Sequence, residues 1–120
     1  MRSATIAIVD DDSRVLESLE NLLESAGYQV RPFGSSPEVL AGSALTQVDC
    51  LISDVCMPTM DGVELARQVG LVRPELPVIL MSAKTDALAS GAANGSHRQL
   101  FSKPFNSHEL LAAVAVAVCQ

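Results

Sequence analysis

The sequence predicts an α/β domain, a three-layer sandwich in which a five-stranded parallel sheet carries helices on both faces. Two observations point there. Thr5 to Val9, Asp49 to Asp54 and Pro77 to Ser82 are short, mostly apolar runs, as expected of parallel strands covered on both sides. Between such runs the spacing turns helical. From Ser13 to Ala26, residues Val15, Leu16, Leu19, Leu22, Leu23 and Ala26 share one face, and Glu17, Glu20 and Glu24 lie elsewhere. Strands alternating with helices require right-handed crossovers, and these place helices above and below the sheet.

Thr5 to Val9 is the first strand, and Asp12 or Ser13 can cap the helix that follows, with Gly27 ending it. Tyr28 to Phe33 reads as a weaker second strand. Ser35-Ser36-Pro37-Glu38 has the pattern of a capping box for a short helix through Leu40, fraying into Gly42 and Ser43. Asp49 to Asp54 is the third strand. Asp61 caps a third helix through Val69, with Glu64 in its first turn favoured by the helix dipole. Pro77 to Ser82 is the fourth strand. Lys84 to Gln99 holds Gly91, Asn94, Gly95 and Ser96, so any fourth helix there is short and a weak helix former. Leu100 to Ser102 is the fifth strand, and Asn106-Ser107-His108-Glu109 caps a last helix from Leu110 onward. Val114, Val116 and Val118 alternate with Ala as a strand would, but the strand-helix rhythm and the alanines favour helix.

At 120 residues, 48% of them apolar, the chain is expected to be one domain, residues 1–120, burying roughly two thirds of its unfolded surface. No output domain, repeat or linker is evident. The net charge of -6, with Lys and Arg scattered, argues against a nucleic-acid surface. Cys50, Cys56 and Cys119 are odd in number and lack paired spacing, so neither a disulfide framework nor a zinc site is indicated, and a reduced, cytoplasmic setting fits. No signal peptide is expected. The longest apolar run, Leu110 to Cys119, is too short to span a bilayer, so no membrane association is expected, and its scarcity of polar residues hints at a docking face.

Polar residues collect where the apolar runs end. Asp10-Asp11-Asp12 follow the first strand, Asp54 closes the third, Ser82 the fourth, and Lys103-Pro104 come after the fifth. Ligands of open α/β sheets bind beyond the carboxyl ends of the strands, so parallel strands would bring these groups to one edge. Singly, Asp54 is a turn-making Asp, Ser82 a strand-end turn residue and Lys103 a solvated loop lysine. Jointly they read as a site. Crowded carboxylates repel unless a cation joins them, and oxygen ligands favour Mg²⁺ or Mn²⁺.

Taken together, Ile8-Val9-Asp10-Asp11-Asp12, Ser53-Asp54-Val55-Cys56-Met57-Pro58 with Asp61-Gly62, Met81-Ser82-Ala83 and Lys103-Pro104-Phe105 resemble the response-regulator receiver domain of two-component signal transduction, from Ala4 to about Val118. The resemblance implies the flavodoxin-like strand order 2-1-3-4-5. It implies Asp54 as phosphoacceptor, with Asp11, Asp54 and the main-chain carbonyl of Cys56 as Mg²⁺ ligands, Asp10 acting through water, and Mn²⁺ as a substitute. Lys103 would pair with phosphoryl and carboxylate oxygens as a point charge, aimed by a cis Lys103-Pro104 bond, and Ser82 would donate to the arriving phosphoryl group. Asp12 matches no ligand position and reads as a helix cap. Cys56 and Lys84 stand where the family tunes acyl-phosphate lifetime. Leu100 stands where the family usually has Tyr or Phe, so it cannot report activation in the same way.

The implied partners are a sensor histidine kinase or phosphotransfer protein, and a second copy docking through the fourth helix, fifth strand and fifth helix. Beyond self-catalysed acceptance and slow dephosphorylation, no enzyme activity is implied. The rival readings are a receiver fold that binds partners without phosphorylation, a haloacid-dehalogenase-type phosphatase, and a flavodoxin. The phosphatase would want a second acid where Cys56 stands, and an acidic triplet after the first strand would repel the phosphate of a flavin. Redox sensing by Cys56 lacks a basic neighbour to activate the thiol. His97 and His108 lack metal-ligand spacing.

Overall fold

Ile6, Ala7, Ile8 and Val9 are wholly buried because strand β1 (Thr5–Val9) is an interior strand of the sheet, paired on both edges and with apolar layers on both faces. The computed structural model describes residues 4–42, 44–55, 60–82, 98–102 and 106–118. After β1 come α1 (Ser13–Ser25), β2 (Gln29–Phe33), α2 (Ser36–Ala41), a 3-10 turn (Ala44–Thr46) and β3 (Cys50–Asp54). They are followed by α3 (Gly62–Val72), β4 (Val78–Ser82), β5 (Arg98–Ser102) and α4 (Ser107–Val118). The strands pair in parallel in the order β2-β1-β3-β4-β5, so the α/β sandwich and its strand order are as expected.

The two-residue period of a strand divides the core. Ala7, Val9, Leu51, Val55 and Leu80 pack with Val39 of α2 and with Leu65, Ala66 and Val69 of α3. Ile6, Ile8, Cys50, Ile52, Ile79 and Met81 pack on the other face, with Leu19 and Leu23 of α1 and Leu110 and Val114 of α4. Both faces of β1 and β3 are therefore dry, which is why these strands read as continuous apolar runs and not as alternating ones.

Local chemistry sets the helix ends. The Asp12 carboxylate accepts from the Arg14 N–H at 2.9 Å to start α1, and Gly27, at φ 96°, ends it in a conformation that a side chain would strain. Asp61 accepts from the Glu64 N–H at 2.9 Å and starts α3, which runs three residues past the expected Val69. Within α3, hydrogen bonds from Arg67 and then Gln68 hold the Glu64 carboxyl down to about 2. At the other end of α3, the Arg73 guanidinium donates to the Leu45 and Val48 carbonyls at 2.5 and 2.7 Å and to Glu75 at 2.9 Å, tying the helix to the segment before β3.

Four expectations need correction. The capping box at α2 does not form: the Ser35 hydroxyl donates to the Glu38 carboxylate at 3.0 Å, and its side chain caps no backbone N–H. Pro37 already removes one of the N–H groups that a cap would serve. The last helix starts at Ser107 and not at Leu110, because the Asn106 side chain accepts from the Glu109 N–H at 3.0 Å. Its Val and Ala residues follow helical spacing, with Leu110, Val114 and Ala117 buried and Val116 60% exposed. Strand β5 begins at Arg98 and not at Leu100, since an edge strand can pair polar residues: Arg98 lies opposite Val78 and Gln99 opposite Ile79. Strand β3 begins at Cys50, and Asp49 instead forms a reciprocal pair with Thr5, donating its N–H to the Thr5 carbonyl and accepting the Thr5 N–H, both at 2.8 Å. The expected short fourth helix falls mainly on residues 83–97, outside the described residues.

Candidate functional site

Adjacent parallel strands deliver the acids. Val9 of β1 lies opposite Ser53 of β3, and each is followed by an aspartate, Asp10 and Asp54, with Asp11 next. One carboxylate oxygen from each of Asp10, Asp11 and Asp54 can be chosen so that all three lie within 4.8 Å of one another. Asp10 is 1% and Asp54 7% exposed, whereas Asp11 faces solvent. Asp10 is further fixed by accepting the Asp12 N–H at 2.9 Å. Asp12 itself stands outside the cluster as the cap of α1, and its bonds from the Arg14 N–H and guanidinium hold its carboxyl below the usual carboxylate range.

Two buried carboxylates beside a third create negative potential that a cation relieves. All three donors are hard carboxylate oxygens, the kind of ligand Mg²⁺ takes, and Mg²⁺ needs only one or two of them directly because it keeps several waters, so the donor set fits such an ion. In chelator-treated buffer, Asp11→Asn removes one of the like charges from an exposed position and is expected to raise the melting temperature, by about 1 kcal/mol of stability. A lower melting temperature contradicts this.

The main chain around Asp54 is held on several sides. The Val55 N–H donates to the Met81 carbonyl at 2.8 Å and fixes Asp54 against β4. The Gly62 N–H donates to the Val55 carbonyl at 2.8 Å, and the buried Ser53 hydroxyl donates to the Asp54 carbonyl at 3.0 Å. From α2, the Ser36 hydroxyl, 1% exposed, donates to the Met60 carbonyl at 3.0 Å. A Cβ placed on Gly62 would collide with the Asp54 carbonyl oxygen and crowd the Val55 Cα. Sequence reasoning assigned no role in the site to Ser36, Ser53 or Gly62; the Asp61-Gly62 pair beside an acid was the one visible signal.

The other expected residues divide by position. Ser82 ends β4 opposite Ser102, one residue beyond the Asp54–Met81 pair, so its backbone shares the acids' edge of the sheet. Leu100 lies within β5 opposite Leu80. Lys103, Cys56 and Lys84 lie outside the described residues. Cys50 is a buried free thiol, pushed up to about 12 by burial and so inert as a nucleophile. Among the described residues no helix is long and apolar enough to cross a membrane.

Comparison with known proteins agrees with this arrangement. Residues 6–115 match the family model of the response regulator receiver domain. The chain is 36% identical over 118 residues to the response regulator protein TodT of Pseudomonas putida, covering 98% of this chain and 52% of TodT. It is 39% identical over 120 residues to the DNA-binding transcriptional regulator NtrC of Salmonella typhimurium, covering 98% of this chain and 25% of NtrC. The chain thus spans about half the length of TodT and a quarter of NtrC. Among solved structures, a response regulator receiver domain protein from Clostridium thermocellum superposes with a TM-score of 0.88 at 29% identity, over 97% of this chain and 94% of that one. On its fold, its acidic cluster and these matches, the chain belongs to the response regulator receiver domain family.

Proposed function

We propose that this chain accepts a phosphoryl group on Asp54 from a histidine kinase or phosphotransfer protein, and passes the change to a partner or output domain. The observation that carries this reading is the meeting of Asp10, Asp11 and Asp54 carboxylates within 4.8 Å at the carboxyl edge of the sheet. Asp11, Asp54 and the Cys56 carbonyl would hold Mg²⁺ or Mn²⁺, with Asp10 acting through water. The ion, when bound, supplies charge neutralisation for the acids and for the incoming phosphoryl oxygens.

A carboxylate oxygen of Asp54 forms the new bond to phosphorus as the bond to the donor breaks, and the leaving group, acetate or a histidine ring nitrogen, departs with the electron pair. Burial of Asp54 keeps bulk water from competing for the phosphoryl group. Lys103 acts as a point charge on phosphoryl and carboxylate oxygens, and Ser82 donates to the captured group. Cys56 and Lys84 tune its lifetime. Leu100 in place of an aromatic residue makes the outward coupling differ from the usual pattern, and dimerisation through the face around β5 is one form of output.

The test is intact-mass spectrometry of the purified chain after incubation with acetyl phosphate. A gain of one phosphoryl group is expected with Mg²⁺ or Mn²⁺ and none with a chelator. A folded wild type that gains nothing in Mg²⁺ contradicts the reading and favours a module that binds partners without phosphorylation.

A further inference from the structure

The direction of the Asp54 side chain is set by its backbone, because successive residues of a pleated strand point to opposite faces and a small tilt of the peptide re-aims the carboxylate. That peptide abuts the first residue of α3. Gly62 comes so close to the Asp54 carbonyl that a methyl group there would overlap backbone oxygen, which no side-chain rotation can relieve. Its own N–H meanwhile bonds the Val55 carbonyl at 2.8 Å. The approach is held from a third element, since Ser36 of α2 binds the Met60 carbonyl, two residues before Gly62, at 3.0 Å in a buried position.

We propose that Gly62 and Ser36 are positioning residues for Asp54: they seat the N-terminal end of α3 directly against the Asp54 peptide. The aim of the acidic site then depends on two uncharged residues outside the acid set. This rests on Asp54 being the phosphoacceptor. Neither residue supplies a metal ligand or a proton; both act through the backbone that carries the carboxylate.

The same helix supplies a matched control. Gly70 also lies in α3, but a Cβ there would meet nothing within 4 Å. Gly70→Ala is expected to raise the melting temperature, as Ala is the better helix former, and to leave acceptance from acetyl phosphate unchanged. Gly62→Ala is expected to slow acceptance about a hundredfold, the scale of a misplacement near 1 Å, and to weaken Mg²⁺ binding. Ser36→Ala removes one bond that seats the start of α3 and is expected to reduce Mg²⁺ affinity and acceptance rate about tenfold, a smaller misplacement of the carboxylate than Gly62→Ala causes. Rates and Mg²⁺ titrations are taken at a temperature where circular dichroism shows each variant folded. If Gly62→Ala does not fold, Ser36→Ala carries the test.

A Ser36→Ala or folded Gly62→Ala protein with a lower melting temperature but wild-type Mg²⁺ affinity and acceptance rate overturns the positioning role and leaves the phosphoacceptor reading standing. A wild type that accepts nothing overturns that reading and this proposal with it.

Discussion

Asp54→Asn is expected to abolish phosphoryl acceptance while the protein keeps its fold. Asn occupies nearly the same volume and can accept hydrogen bonds, so the strand end and its contacts with β4 are preserved. It lacks the anionic oxygen that attacks phosphorus, and it removes one of the three carboxylates that sit within 4.8 Å of one another. Two consequences are separable. Acceptance falls below detection, and Mg²⁺ affinity, followed by a chelation-corrected titration, falls as well. Stability without metal holds or rises, because a largely buried negative charge has gone from a like-charged cluster. A variant that takes up phosphoryl groups at the wild-type rate contradicts the assignment of Asp54.

The largest stability effect is expected at Leu65→Ala. Leu65 is wholly buried and belongs to the cluster that holds α3 on the sheet beside Leu51 and Val55. Truncation leaves a cavity between a helix and a strand that cannot both collapse into it, so the loss should be about 2–5 kcal/mol in urea unfolding. Leu71, in the same helix but 73% exposed, is the comparison. Leu71→Ala should change stability by less than about 0.5 kcal/mol. Equal losses at the two positions would mean that α3 is not docked through Leu65.

The sandwich was legible from short-range signals. The acid cluster was legible because its acids end separate apolar runs and the resemblance to receiver domains implied the strand order that sets β1 beside β3. Buried parallel strands leave unbroken apolar runs such as Ile6 to Val9, and an acid at the end of such a run, like Asp54, is bound to reach the carboxyl edge of the sheet. Asp12 was separable from Asp10 and Asp11 because it matches no ligand position of the family the sequence resembles, and its bond from the Arg14 N–H makes it the cap of α1. Strand β5 was less legible: Arg98 and Gln99 carry no apolar signal, and only pairing with Val78 and Ile79 makes them strand. The contacts around the Asp54 peptide were not legible at all. Ser36 and Met60 are 24 positions apart, and the closeness of Gly62 to the Asp54 carbonyl comes from how α3 docks, which no local pattern records. The failed capping box at Ser35 has a local cause instead: Pro37 removes one of the N–H groups to be capped, and the Ser35 hydroxyl turns to the Glu38 side chain.

Residue-level location of the acyl phosphate tests the central claim most directly. Sodium borohydride reduces an aspartyl phosphate to homoserine, which tandem mass spectrometry can place in the chain after reaction with acetyl phosphate and Mg²⁺. Homoserine at position 54, absent when the metal is chelated, is the expected result. Homoserine at Asp10 or Asp11 with Asp54 unmodified, or a phosphoryl group on a residue that borohydride does not reduce, would contradict it.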